Sequence, residues 1–406
     1  MKTAPTLSAD HPLGQRAYSI ADHLASVIGP RPAASEGERK ALAYAEELLA
    51  ASATEIDHFA VDNIPAAGSR RWLTITALAG LVGAAFFFQQ APAAMLVYLP
   101  LFLFLPRLVR AARRRATASP QRASYNLLAD HRPQGAPKGT LIIGAHIDTA
   151  GARRVPGSLL PRLQRLFTQL FRLLVPLLAL LAAVKLLTDW LHPLPPLTWT
   201  LIRWASFGLA VVLALFQGVY LCLSRQRALS PGANDNGSSV GVVLTAAEHF
   251  APVERRPRHL TLRYALWTAE ERGLVGSERY AQNTELDRNS TWVLNLDMVG
   301  TGRSLSYVRG VGIIPFRPTS RLLNQMLHRV QPSIQTVFYF MRSSDFRPFL
   351  QQSIPAASLT GKGGQRNWYY HTTEDVSEHL QPELLQQAAQ AVIGLAEVLD
   401  ETLGHE

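Results

Sequence analysis

Thr140-Leu141-Ile142-Ile143-Gly144-Ala145-His146-Ile147-Asp148 is the stretch from which the rest of the chain can be read. It is apolar until its end, as a strand buried on both faces of a sheet is, and then presents His and Asp at alternate positions. Open α/β sheets gather their ligands just beyond the carboxyl ends of such strands. Four further blocks follow the same pattern: Gly232-Ala233-Asn234-Asp235-Asn236, Glu270-Glu271-Arg272-Gly273-Leu274, Asn295-Leu296-Asp297-Met298 and Tyr369-Tyr370-His371. Each sets His, Asp or Glu at or near the end of an apolar run, or in a nearby loop. A borderline cation held by nitrogen and oxygen needs this mixture, and the ordered set reads as the wall of a two-metal site.

Outward from these blocks the pattern is α/β. Glu55–Val61 alternates like a strand, and Ser124–Ala129, Leu260–Trp267, Thr291–Leu296 and Ile354–Leu359 read as further strands. Helical spacing covers Gln15–Ile28, Gly37–Leu49, Ser238–Phe250, Pro318–Val330 and Pro382–Leu403. Ser35 with Glu38 fits a capping box, and Pro382 suits a first helical turn.

Four apolar stretches interrupt this pattern: Trp72–Phe88, Ala91–Pro106, Leu173–Leu187 and Trp204–Leu223. Each is near the roughly 17–25 residues that cross a bilayer, which predicts two transmembrane hairpins, although buried core helices share this composition. Arg70, Arg71, Arg107, Arg110, Arg225 and Arg227 are among the arginines flanking both pairs on the side of the site blocks. The positive-inside rule then predicts an integral membrane protein of the bacterial inner membrane with its catalytic domain in the cytoplasm. Pro161–Leu174 reads as a basic interfacial helix leading into the second pair. The net charge of +10 belongs to a collar facing the lipid bilayer, not to a nucleic-acid site, because the arginines track apolar segments and lack interleaved aromatics. The single cysteine, Cys222, excludes an intramolecular disulfide, and Met1–Pro12 lacks the apolar core of a secretory signal. The expected division is 1–62, 120–150 and 229–406 as the catalytic domain, with 63–119 and 151–228 inserted.

Taken singly, the site residues keep two readings. His146 and Asp148 read as a strand-end polar pair, or as a metal-bound histidine with an oxygen partner for its other nitrogen. Asp235 reads as a helix cap before it reads as a carboxylate bridging two cations. Glu270-Glu271 is more specific, because adjacent acids repel unless a cation neutralises one; one can ligate while the other moves protons. Asp297 is a strand-end acid that needs a partner if buried. His371, with Asp375 four residues on, reads by default as a surface loop histidine.

Together, the order His-x-Asp, Asp, Glu-Glu, Asp, His resembles metallopeptidase family twenty-eight, the co-catalytic zinc aminopeptidases. Ile28-Gly29-Pro30-Arg31-Pro32-Ala33-Ala34-Ser35 is similar to that family's N-terminal signature, and Ser344-Asp345-Phe346 with Phe349 and Ile354-Pro355-Ala356 to its late strand. The resemblance implies a mixed, mostly parallel twisted sheet between helices, and two zinc ions acting on a peptide substrate. His146 and Asp297 would hold one zinc, Glu271 and His371 the other, and Asp235 would bridge them. Glu270 would be the general base acting on a metal-bridging water, Asp148 would orient His146, and Tyr370 would help stabilise the oxyanion. It also makes the bond after Asp235 a candidate cis peptide. The implied activity is removal of an N-terminal residue. A glutaminyl-cyclase-like acyltransferase with one zinc, and a non-catalytic membrane binding module, are the alternatives on the same fold.

Overall fold

The computed structural model describes residues 12–50, 55–62, 64, 123–152, 228–312, 316–339, 343–363 and 369–405, with scattered helical positions between 180 and 215. Contacts divide the chain into a unit of Met1–Ile64, Arg122–Arg153 and Arg227–Glu406 and another of Pro65–Gln121 and Arg154–Gln226. The first unit holds the main sheet and the helices that pack on it.

In chain order it contains α1 (Pro12–Asp22), α2 (Glu36–Ala50), β1 (Glu55–Val61), β2 (Ser124–His131), β3 (Gly139–His146), β4 (Gly151–Ala152), β5 (Ala228–Leu229), α3 (Ser238–His249) and β6 (Leu260–Trp267). Then come α4 (Val275–Asn283), β7 (Thr291–Leu296), β8 (Leu305–Val311), β9 (Arg317–Pro318), α5 (Arg321–Val330), β10 (Gln335–Tyr339), α6 (Phe346–Gln351), β11 (Ala356–Gly361) and α7 (Pro382–His405). The main sheet runs β1-β2-β6-β3-β7-β11-β8-β10, with β9 paired to β8. Its centre, β6-β3-β7-β11, is parallel, and antiparallel pairs flank it at β1-β2, β2-β6 and β11-β8. The apolar run of β3 is explained by this position: Leu141, Ile142 and Ile143 have no solvent exposure, because helices cover both faces.

One face packs against α1, α2, α3, α5 and α7 through residues such as Ile20, Leu42, Val243, Leu327 and Leu395. The other is closed by α4 and α6 around Trp267, Tyr280, Phe346 and Phe349. The aromatic rings of Trp267 and Phe349 lie 5.6 Å apart. Gly144 is required beneath Trp267, since a Cβ there would sit 2.4 Å from the indole Nε1.

The expected integral membrane location is corrected here. Among the described residues, no helix is long and apolar enough to cross a membrane. Helix α7 has 24 residues but carries Glu383, Glu397, Asp400 and Glu401 and packs one face on the sheet; α3 is apolar but only 12 residues long. The first two apolar stretches and the Pro161–Leu174 helix lie outside the described residues, as do most positions of the other two. Boundaries also shift. α5 starts at Arg321 rather than Pro318, because Ser320 caps it through Leu323 N–H and Pro318 pairs within β9. The capping box is displaced by one residue: Glu38 N–H donates to Ser35 Oγ at 3.2 Å, but the Glu38 carboxylate accepts from Ala34 N–H at 2.8 Å.

Candidate metal centre

The carboxyl ends of β6, β3 and β7 lie side by side, and the expected site residues emerge there. His146 ends β3 opposite Trp267, and the ladder continues with Ile147 N–H donating to Trp267 C=O at 2.9 Å. This register brings Asp148 against the turn after β6. Asp297 leaves β7 one residue past its end, Asp235 sits in the loop before α3, and His371 in the loop between β11 and α7. Three residues at or beside the ligands, Ala269, Met298 and His371, have positive φ of 56°, 58° and 56°. Such left-handed conformations are uncommon outside glycine and cluster where a site dictates the backbone. The peptide bond from Asp235 to Asn236 is cis, as the family resemblance implies.

The five expected ligands fall into two groups that share one carboxylate. Donor atoms of His146, Asp235 and Asp297 lie within 4.8 Å of one another, and so do those of Asp235, Glu271 and His371. Asp235 presents Oδ1 to His146 Nε2 at 3.3 Å and Oδ2 to His371 Nε2 at 3.0 Å. His371 Nε2 is also 2.9 Å from Glu271 Oε1, yet it is buried without an aligned hydrogen bond. Imidazole nitrogens and carboxylate oxygens converging this closely fit a cation of the zinc type.

The charges of the metal-free site arise from this crowding. Burial acts to raise Asp235, but the proximity of His146 and His371 outweighs it and holds the carboxyl below the usual range. Burial would lower His371; Glu271 and Asp235 outweigh it and raise the imidazole to about 9. His146 is likewise raised, by Asp148, Asp235 and Glu270 against burial. Burial together with Asp235 pushes Asp297 up to about 6. Burial, reinforced by Glu271, Asp345 and Asp297, lifts Glu270 well above the usual carboxylate range despite His146. Tyr370 stacks on the His371 ring at 3.8 Å, and burial and the surrounding carboxylates raise its hydroxyl, keeping it protonated.

Asp148 does something the sequence did not suggest. Its side chain is 3.6 Å from His146 Nδ1, which is instead 3.0 Å from the Asp148 backbone carbonyl. The carboxylate itself accepts the backbone N–H groups of Glu270 at 2.9 Å and Glu271 at 3.2 Å. Asp375 acts in the same way on the N–H groups of Asn234 and Asp235, at 2.9 and 3.0 Å. Asn236 brackets Asp297, donating to Leu296 C=O at 3.2 Å and accepting from Met298 N–H at 3.0 Å. Sequence reasoning gave Asn234, Asn236, Asp345 and Asp375 no role. The one available signal was position: three of them flank or follow a ligand, and Asp345 lies in the late motif.

The model of Peptidase family M28 matches residues 219–396. The chain is similar to Aminopeptidase YwaD of Bacillus subtilis (strain 168), 31% identical over 175 residues, covering 40% of this chain and 36% of that protein. It is similar to Carboxypeptidase Q of Xenopus laevis, 26% identical over 146 residues, covering 36% of this chain and 30% of that protein. The chain thus spans about a third of the length of these curated relatives. Among solved structures, its fold is similar to a zinc aminopeptidase from Bacillus subtilis, with TM-score 0.52 and 15% identity over 95% of both chains. A Bacteroides thetaiotaomicron glutaminyl cyclase shares the fold at TM-score 0.54 and 13% identity, over 94% of this chain and 96% of its own. Over residues 219–396 the chain is thus similar to Peptidase family M28, and its fold is that of the zinc aminopeptidases.

Proposed function

We propose that this chain is a zinc-dependent peptidase, an aminopeptidase that removes N-terminal residues from peptides. The carrying observation is that two clusters of metal-ligating atoms share Asp235, with the raised carboxyl of Glu270 beside them. His146 and Asp297 would hold one zinc, Glu271 and His371 a second, and Asp235 both. Zinc bound there supplies Lewis acidity toward the scissile carbonyl and a lowered pKa for water.

The remaining chemistry belongs to the protein. Glu270 takes a proton from the attacking water and returns it to the leaving amine, and its burial among carboxylates moves its pKa toward the range a general base needs. Asp148 fixes the backbone from which Glu270 and Glu271 project. Tyr370, held protonated, donates to the developing oxyanion. The catalytic domain is formed from 1–62, 120–150 and 229–406, with 63–119 and 151–228 as insertions.

The test is zinc content measured together with turnover of aminoacyl-anilides, with and without chelator. Two zinc ions per chain, with hydrolysis lost in Glu270→Gln while the metal stays, supports the reading. One zinc, no hydrolysis, and ammonia release from N-terminal glutaminyl peptides would replace it with the cyclase.

A further inference from the structure

Resting on that metal reading, we propose that Arg31 and Asp375 are positioning residues. They clamp the backbone of residues 231–235 from opposite sides and so set Asp235 for both metals, without touching either.

Arg31 has no solvent exposure, and its guanidinium hydrogen-bonds to carbonyl oxygens of the described residues. Nε donates to Ile147 at 3.0 Å, and Nη1 to Leu24, Gly29 and Pro231 at 2.7, 2.9 and 2.8 Å. Nη2 donates to Gly232 at 2.9 Å. The Arg31 backbone is tied to the β3 exit as well, donating to Thr149 Oγ1 at 2.8 Å and accepting from Thr149 N–H at 3.0 Å. Asp375, also without exposure, takes the opposite polarity of the same loop. Its carboxylate accepts from the N–H groups of Asn234 and Asp235, at 2.9 and 3.0 Å, and its own carbonyl accepts Ala233 N–H at 3.0 Å. A guanidinium therefore holds the carbonyls of 231 and 232, and an acidic residue accepts the amides of 233 to 235. The peptide dipoles of the segment lie between them.

Burying a guanidinium is costly even with the charges of Asp375, Asp148 and Asp235 nearby, and apolar packing would fill the same volume more cheaply. Its five hydrogen bonds to carbonyl oxygens define a backbone geometry that apolar packing cannot. The segments converging on it include the end of β3, which carries His146, and the loop that carries Asp235. Asp375 lies four residues beyond His371, so the same clamp joins the loops of Asp235 and His371, two ligands of one candidate group. Polar partners behind ligands commonly govern metal affinity in this way.

The experiment titrates cobalt(II) into chelator-treated full-length wild type, Asp375→Asn and Arg31→Lys, following the visible absorption of the bound ion. Far-UV circular dichroism reports folding. Amide exchange over residues 231–236 is measured on the metal-free proteins. Each variant is expected to lose about 10- to 100-fold in cobalt affinity. Exchange over 231–236 should be faster with the secondary structure intact, and the double variant should lose less than the two single losses combined. If Arg31→Lys fails to fold, Asp375→Asn carries the test. A folded Asp375→Asn that binds cobalt as wild type does, even with a lower melting temperature, would overturn the clamp while leaving the metal reading standing. A wild type that binds no cobalt would overturn the metal reading, and the clamp's role with it.

Discussion

Asp148 governs Glu270 through the backbone: its Oδ1 accepts the Glu270 N–H at 2.9 Å across 122 residues of sequence. The side chain that would move protons is thus aimed by a carboxylate projecting from the end of β3, while the same residue's carbonyl holds the His146 ring. One short segment sets both a proposed ligand and the proposed base.

Substituting Asp148→Asn keeps one acceptor and turns an N–H donor toward the second amide. Activity should fall through displacement of Glu270 and Glu271 together. Zinc affinity is expected to drop by about 10- to 100-fold, with kcat falling as well. Zinc titration of the apo-variant beside steady-state kinetics checks this; an unchanged zinc affinity would mean that the amide contacts do not position Glu271.

Metal binding should release protons. The His371 imidazole, raised to about 9, is charged in the metal-free protein at neutral pH and must lose its proton to ligate. Zinc affinity therefore rises with pH up to about 9. The stability that protonated His371 gives the metal-free fold is complete below its unfolded pKa and is lost as pH climbs through the same range. Calorimetric titration in buffers of different ionisation enthalpy counts the released protons.

Gly232 lies at φ 64°, and a Cβ there would sit 2.4 Å from Thr149 Cγ2 and 2.5 Å from Asp235 C=O. Both the strained conformation and the collision act on the loop that carries Asp235. Gly232→Ala is expected to destabilise the metal-free protein by more than about 1 kcal/mol and to weaken zinc binding. Chemical denaturation and zinc counting on the same sample read both effects.

Much of this organisation was legible in the chain. The strands read from Glu55–Val61, Leu260–Trp267 and Thr291–Leu296 match β1, β6 and β7: β6 and β7 are inner strands with long β-branched and apolar runs, and β1, at the sheet edge, shows itself by alternation. β8 and β10 went unread. β10 is an edge strand whose Gln335, Thr336 and Phe338 are exposed, so no buried face marks it, and β8 is interrupted by Arg309 and Gly310. The ligand types were visible as His, Asp and Glu at strand ends. The contacts of Arg31, Asp148 and Asp375 were not, because they end on backbone groups of distant segments that carry no side-chain signature. The membrane expectation rested on hydropathy in stretches outside the described residues, and the described helices do not support it.

Glu38 offers a pH test away from the ligands. Burial first, then the charge of Asp148, raises its carboxyl to about 7, against hydrogen bonds that include one from Ser124. A raised carboxyl stabilises the fold fully below its unfolded pKa of 4.5, and that contribution is lost as pH rises through about 7. Glu38→Gln should remove this loss, so wild type falls behind the variant by up to about 3 kcal/mol between pH 5 and 8. Denaturation of both proteins across that range would show parallel curves if Glu38 titrates normally.

The most direct measurement is anomalous diffraction at the zinc edge from crystals of the zinc-loaded protein. Two peaks are expected, one beside His146 and Asp297, the other beside Glu271 and His371, with the Asp235 carboxylate between them. A single peak, or zinc bound away from Asp235, would contradict the shared two-metal centre.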